Sequence, residues 1–235
     1  MRPAGSTLGV NISDRQLAAL KLALFLLCLL PLGRLGWGAW RDTLGANPIE
    51  AIQRGLGSWT LNFLVITLAI TPLRRIVGWA WLGRLRRMLG LHAFFYAALH
   101  FLGYLWLDQF FDWSAIGRDI LKRPFITVGF AAFVLLLPLA ATSNRFALGR
   151  LGGRRWQALH RSIYPIAIFG VIHYWWLAKR DVATPALYAV AVLLLLGVRA
   201  LWRERERHEQ LAGKYAPQQS PPVRGRIIPI ISRRH

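Results

Sequence analysis

Four histidines lie inside hydrophobic stretches of this 235-residue chain. In sequence order they form two pairs, His92 with His100 and His160 with His173. A histidine in the hydrocarbon of a membrane is costly unless it binds a ligand or faces water. Imidazole is a common axial ligand of haem iron, and two imidazoles give an iron suited to electron transfer. The four residues therefore predict haem binding between two membrane helices.

The spacing within each pair excludes one metal ion held by both of its members. On an α-helix, His92 and His100 lie about 12 Å apart along the axis, and His160 and His173 about 20 Å. Ligands of one ion lie within about 4 Å of each other. Each helix therefore offers ligands at two depths. Matching by depth predicts an outer pair, His100 with His173, and an inner pair, His92 with His160.

The composition indicates a polytopic membrane protein. Hydrophobic residues make up 55% of the chain and charged residues 17%, and the mean hydropathy is +0.37. The apolar residues gather in runs of about 16–22 residues, which is enough to span about 30 Å of hydrocarbon. We expect an all-α fold, a six-transmembrane-helix bundle. Its predicted spans are 17–38, 58–73, 88–107, 124–142, 157–177 and 185–202.

The distribution of charge orients these spans. The connections 74–87 and 143–156 are basic and contain no acid, whereas the loops on the other side carry acids. The positive-inside rule places these two connections and both termini in the cytoplasm. The expected domains are an N-terminal cytoplasmic segment at 1–16, the transmembrane domain at 17–202, and a basic, disordered cytoplasmic tail at 203–235.

The formal net charge of +20 does not indicate a nucleic-acid-binding protein. The basic residues flank hydrophobic runs instead of forming one soluble basic face, and a basic tail would contact anionic membrane lipid. The single cysteine, Cys28, lies in the first apolar run and cannot form an internal disulfide. His208 and His235 lie in the polar tail, where we expect them to be solvated.

Arginines surround the inner ends of the second and third predicted spans. They are Arg74, Arg75, Arg86 and Arg87. A guanidinium group binds carboxylates and phosphates bidentately, so these residues could hold haem propionates or a flavin phosphate. Anchoring by the positive-inside effect accounts for each of them equally well.

Six segments of the sequence resemble one known family. They are GANPIEAIQRGLGSW, LAITPLRR, RRMLGLHAFFYAALHFLGY, LKRPFITVGF, LAATSN and WQALHRSIYPIAIFGVIHYWW. These segments are similar to the haem-binding membrane subunits of periplasmic methionine-sulfoxide reductase systems, within the ferric-reductase-like transmembrane superfamily. The resemblance covers residues 45–180 and implies a six-helix bundle in the bacterial inner membrane.

The resemblance also implies cofactors and partners: one or two haem b groups, FMN, and electrons from the quinol pool or from a cytosolic flavin reductase. The implied acceptor is a periplasmic molybdopterin subunit that repairs methionine sulfoxide in envelope proteins. The family's haem-iron ligands carry over onto His100, His160 and His173. His92 lies outside that set and is a candidate ligand through depth matching alone.

Two other functions stay open beside an electron carrier without a substrate site of its own. A transmembrane ferric or cupric reductase belongs to the same superfamily, but such proteins usually carry a cytosolic FAD/NADPH domain, and this sequence has no GxGxxG motif. A non-haem transporter with a histidine proton relay would place acids within the spans, whose cores contain neither Asp nor Glu.

Overall fold

The structure, a computed structural model, describes residues 12–178 and 181–215. Within these ranges the chain is helical and contains no strand, which confirms the all-α expectation. The α-helices are α1 (Asp14–Trp40), α2 (Pro48–Val77), α3 (Arg86–Gly103), α4 (Trp113–Lys122), α5 (Pro124–Ala141), α6 (Arg145–His160), α7 (Ile163–Leu177) and α8 (Ala183–Tyr215). A 3₁₀ turn (Ala80–Arg84) precedes α3, and a π-helical turn (Tyr104–Asp108) follows it.

Five helical segments of the described chain are long and apolar enough to cross a membrane. They are Asp14–Trp40, Pro48–Val77, Ala80–Asp108, Pro124–Ala141 and Ala183–Gly213. The chain is therefore a multi-pass membrane protein, as the composition predicted. Helix α7 is apolar but has 15 residues, about 22 Å of helix, so a sixth span and the orientation of the termini stay predictions.

The predicted span at 157–177 is interrupted in the structure, since α6 ends at His160 and α7 begins at Ile163. Pro165 explains the break. Proline has no N–H to donate to the carbonyl four residues earlier, and its ring clashes with that carbonyl, but it is tolerated in the first turn of a helix. Pro165 occupies that first turn in α7. The break makes α6 and α7 separate elements.

Helix α2 begins at Pro48, well before the predicted span at 58–73. Its start is well specified by the sequence: the Asn47 side chain accepts a hydrogen bond from the Glu50 N–H at 3.1 Å, and Pro48 occupies the first helical position. The early start places Gln53 and Gly57 on the helix. Both residues contribute to the site described below.

Two predicted boundaries at the ends of the chain differ from the structure or lie outside it. Helix α8 continues to Tyr215, past the predicted end of the last span at residue 202, and His208 is exposed on it, as expected. The remainder of the predicted tail, 216–235 with His235, lies outside the described residues, as does 1–11 of the predicted N-terminal segment.

Helices α2, α3, α5 and α7 pack against one another, and two candidate ligands, His100 on α3 and His173 on α7, lie on these helices. Helix α2 lies along α3 and α5 lies along α7, and α3 also contacts α5 while α2 contacts α7. Small buried residues, Ala93 on α3 and Ala167 on α7, allow close approach of the backbones. Gly170 acts similarly, since a Cβ there would lie 3.2 Å from the Leu61 side chain of α2.

Helix α1 is fixed to α3 by an inserted tyrosine. The buried Tyr96 hydroxyl donates to the Cys28 carbonyl at 2.8 Å and accepts from the Leu32 N–H at 3.2 Å. In a regular helix that N–H would bond that carbonyl directly. Pro31 already interrupts the hydrogen-bond ladder here, and a side chain inserted beside a proline is a known cause of helix bending.

The chain leaves α3 through the π-helical turn and then a strained bend. Phe110 and Phe111 both have positive φ, 46° and 60°, a region that bulky residues rarely adopt. Asp112 then caps α4, accepting from the N–H groups of Ser114 and Ala115 at 2.9 and 3.0 Å. The Ala115 N–H and the Ser114 hydroxyl hold the pKa of Asp112 below its ordinary value.

Cysteine labelling tests the predicted orientation. Ser114 in α4 and Gly149 in α6 are both exposed, and they lie on opposite sides in the predicted topology. We expect Ser114→Cys to react with a membrane-impermeant maleimide in intact spheroplasts, and Gly149→Cys to react only after lysis. The unsubstituted protein is the control, because its Cys28 is buried. The opposite labelling pattern would overturn the orientation.

Candidate haem site

The structure brings two of the predicted ligands together. The imidazole rings of His100 on α3 and His173 on α7 lie with their centroids 6.2 Å apart and their planes at 75°. Both rings are half-buried inside the bundle. They come from helices that are distant in sequence, so their proximity is a product of the tertiary fold. Matching the histidines by depth paired the same two residues, and ligation of an outer haem by them stays a prediction.

Each of these rings is hydrogen-bonded to a backbone carbonyl of a neighbouring helix. Nδ1 of His100 lies 3.1 Å from the Gln53 oxygen of α2, and Nδ1 of His173 lies 2.7 Å from the Phe125 oxygen of α5. A carbonyl can only accept, so Nδ1 carries the proton in both rings. The other nitrogen, Nε2, is then the one that can ligate a metal, as in most metal-binding histidines.

Two glycines make room for the rings. A Cβ on Gly129 of α5 would lie 2.7 Å from Nδ1 and 2.8 Å from Cε1 of His173, closer than real Cβ atoms approach other heavy atoms. A Cβ on Gly57 of α2 would lie 3.2 Å from Cε1 of His100. Glycine at these positions lets a helix backbone lie directly against each imidazole. The sequence gives no periodic signal for this role.

The geometry of the pair suits a single iron between the two rings. A metal–imidazole bond is about 2.0–2.1 Å long and the ligating nitrogen lies about 1 Å from the ring centre, so one ion held from both sides needs centroids about 6 Å apart. No group of three or more metal-binding side chains occurs in the described residues. A metal that brings its own equatorial ligands, as haem does, fits two protein ligands better than a bare ion does.

A polar group that the sequence did not single out lies beside His100. The Gln53 side chain donates to Asp108 at 3.1 Å, and it lies against Gly103, where a Cβ would be 3.0 Å from Nε2 of Gln53. Within the described residues, the buried Oε1 of Gln53 has no hydrogen-bond partner. Gln53 thus connects His100, through its carbonyl, to an acid at the end of the bundle. The helix-start pattern at Asn47–Pro48, which places Gln53 on α2, was the only feature of the sequence that pointed to this residue.

His160 has a different set of neighbours. Its ring stacks on Trp156 with centroids 3.8 Å apart, and its Nε2 lies 3.0 Å from the Thr142 hydroxyl. Thr142 donates its own proton to the Pro138 carbonyl at 2.6 Å, so Nε2 of His160 is the donor to Thr142. The charge of Arg86 also acts on His160. The ring is therefore held in place at the end of α6, within range of the charge of Arg86.

His92 lies on α3, about two turns before His100, and has other neighbours. It is 5% exposed, and its ring contacts Phe25 of α1 and Phe63 of α2 with centroids 5.1 and 5.6 Å away. Its Nδ1 donates to the Met88 carbonyl of its own helix at 2.9 Å. These surroundings differ from those of His160, so the inner pairing of His92 with His160 stays a prediction.

The predicted basic cluster is spread over two elements. Arg74 and Arg75 are exposed at the end of α2, and Arg87 is exposed at the start of α3, where Arg86 is half-buried. The Arg74 guanidinium lies against the 3₁₀ turn, 3.1 Å from the position of a Cβ on Gly83. Of the four, Arg86 is the one whose charge acts on a candidate ligand. Binding of propionate or phosphate by this cluster stays a prediction.

Comparison with known proteins agrees with the geometry. A family model described as "Ferric reductase like transmembrane component" matches residues 17–171. Three relatives are each named "Protein-methionine-sulfoxide reductase heme-binding subunit MsrQ". They come from Azospira oryzae (58% identical over 212 residues, 90% of this chain and 89% of the relative), Herminiimonas arsenicoxydans (56% over 205 residues, 86% and 94%) and Rhodospirillum rubrum (53% over 199 residues, 85% and 95%).

Proposed function

Because the chain belongs to the ferric-reductase-like transmembrane family, and is similar over most of its length to haem-binding subunits of methionine-sulfoxide reductases, we propose that it is the membrane electron-transfer subunit of such a system. The observation that carries the proposal is the 6.2 Å separation of the His100 and His173 rings. Two imidazoles at that distance, with Nδ1 of each already bonded to a carbonyl, suit bis-histidine ligation of haem iron.

The proposed outer cofactor is haem b, which supplies reversible one-electron transfer when bound. The protein's own contribution is to position the ligands. The carbonyls of Gln53 and Phe125 hold each Nδ1–H, which fixes the ring orientation and increases the basicity of Nε2. Gly57 and Gly129 let the flanking helices exclude water from both rings. A ligand set that is held in this way reorganises little when the charge on the iron changes.

We propose His160 as the ligand of a second, inner haem, with His92 as the weaker candidate for its other ligand. Support comes from the charge of Arg86, which acts on His160 and would suit a propionate, and from the family resemblance. Binding through Nε2 would require the ring to release the Thr142 hydroxyl. The number of haems, one or two, therefore depends on this end of the bundle.

The proposed route runs across a bacterial inner membrane. Electrons would enter from quinol or from a cytosolic flavin reductase and leave to a periplasmic molybdopterin subunit that reduces methionine sulfoxide. The arginines at the inner end (Arg74, Arg75, Arg86 and Arg87) would hold haem propionates or the phosphate of FMN, which supplies further redox chemistry when bound. The acid-bearing connections near Asp108 and Asp119 would face that acceptor. Their side chains are organised by Gln53, Tyr104 and Arg123.

A deletion strain tests this function. We expect loss of the gene to stop repair of envelope methionine sulfoxide by the partner, and a wild-type or His208→Ala copy to restore repair where His173→Ala does not. His208 is exposed and remote from the ligand pair along the chain. The purified partner should still work with an artificial dye donor. Normal partner-dependent repair in the deletion strain would overturn the proposal, and partner-independent reduction of ferric chelates by the purified chain would favour the ferric-reductase alternative.

A further inference from the structure

A polar cavity of about 510 Å³ opens between the first turns of α1, the 3₁₀ turn and the start of α6. We call it the basic pocket. It is lined by Asp14, Leu17, Ala18, Lys21, Arg84 and Arg145. The pocket lies apart from the ligand pair, and its lining includes none of the arginines that the sequence singled out.

The charges in the basic pocket are not balanced. Arg84 pairs with Asp14, with Nη1 and Oδ1 2.9 Å apart, so the one carboxylate is already neutralised. Within the described residues, no acidic side chain pairs with Lys21 or Arg145. The buried Leu17, together with Ala18, adds an apolar part to the lining and makes the pocket amphipathic. Two cations beside an apolar surface suit an anion that carries hydrocarbon.

The depth of Lys21 along α1 indicates that an anion at the membrane surface could reach its side chain. Lys21 lies about 10 Å along α1 from Asp14, and it is half-buried within an otherwise apolar run. Leu22 and Leu26, which follow Lys21 on α1, are 61% and 56% exposed and would face acyl chains. A charge at this depth reaches the headgroup level of a membrane by extending its side chain toward the interface.

We propose that the basic pocket binds the phosphate of an anionic phospholipid headgroup in the cytoplasmic leaflet. Basic pockets between transmembrane helices on this side of a membrane recognise such headgroups. A phosphate between Lys21 and Arg145 would join α1 to α6, in addition to the Arg84–Asp14 ion pair that joins α1 to the 3₁₀ turn. Binding therefore stabilises the docked position of α1. The proposal rests on the proposed orientation and is independent of haem.

Thermal unfolding of the purified full-length protein in neutral detergent, followed by tryptophan fluorescence, tests the proposal without relying on haem. Phosphatidylglycerol should raise the melting temperature by about 3–6 °C, and phosphatidylcholine should not. Lys21→Gln and Arg145→Gln should each remove most of this rise. Arg154→Gln is the matched control, because it removes the same charge from α6 at an exposed position outside the pocket.

Each outcome decides the proposal. A rise that depends on Lys21 and Arg145 and is absent with phosphatidylcholine supports a phosphate site for lipid. An equal rise in all three variants means that the lipid acts elsewhere, and the pocket proposal is overturned. A pocket-dependent rise with FMN but not with phosphatidylglycerol would overturn the lipid and indicate a nucleotide phosphate instead. The melting curves do not depend on electron transfer. If the proposed electron-transfer role fails, the expected effect of phosphatidylglycerol therefore stays the same.

Discussion

Replacing either His100 or His173 by alanine should remove the same haem from the protein. The two rings lie 6.2 Å apart, so one iron between them loses half of its protein ligation in either variant. A haem held by the single remaining imidazole would bind more weakly and would differ in spectrum and potential. Haem content per chain and the reduced-minus-oxidised spectrum of each purified variant measure the effect, and the spectral component lost should be identical.

Variants of the other histidines complete this test. His208→Ala should leave the spectrum unchanged, and His160→Ala should alter a different component, with a smaller change in His92→Ala. Equal losses in the His92 and His160 variants would indicate two bis-histidine haems. The pairing of His100 with His173 is wrong if either of their variants keeps full haem content and an unchanged potential.

Alanine at Gly129 should lower the haem affinity of the protein nearly as much as the loss of the His173 side chain does. The added Cβ would lie 2.7 Å from Nδ1 of His173, so the ring must move and the hydrogen bond to the Phe125 carbonyl is lost. Loss of such an outer hydrogen bond weakens metal binding by about 10–100-fold. Gly57→Ala should have a milder effect, because the corresponding contact with His100 is 3.2 Å. Titration of haem into the purified variants measures this order.

A third glycine supplies the control. Gly36→Ala on α1 adds the same methyl group where nothing lies within 4 Å, so haem affinity should match that of the wild type. Melting curves followed by tryptophan fluorescence separate displaced ligands from a general loss of packing. The positioning role of Gly129 would be refuted by wild-type affinity in Gly129→Ala, or by a loss of affinity in Gly36→Ala of the same size.

The sequence was sufficient to predict the helical class of fold and the proximity of His100 and His173, because both follow from long-range regularities. Hydrophobic runs are about as long as a membrane is thick, and depth along a helix is proportional to residue number. His100 and His173 could therefore be matched before their helices were known to pack together. The same reasoning could not identify the Gln53 and Phe125 carbonyls, since every residue has a carbonyl and only the packing selects two of them.

At the inner end of the bundle, depth along a helix is not enough to pair the histidines. His92 and His160 have similar depth in the predicted spans, but depth does not give the direction in which a residue faces around the helix axis. His92 faces Phe25 of α1. His160 instead ends α6, just before the break that Pro165 causes, and it is held by Thr142. The proline was visible in the sequence. Its effect on the register of the two helices depends on how the chain turns between them.

The π-helical turn at Tyr104–Asp108 acts as a one-residue spacer in the chain that leads out of the bundle. A π turn contains one residue more than an α turn, and each residue of an α-helix advances the chain by about 100° around the axis. Deleting one residue here and restoring α geometry would therefore rotate the segment that follows. Asp108 would lose its alignment with Gln53, and the bend at Phe110 would face another side of the bundle. Sequence length in this segment, and not only residue identity, thus sets the direction in which the chain leaves α3 toward α4.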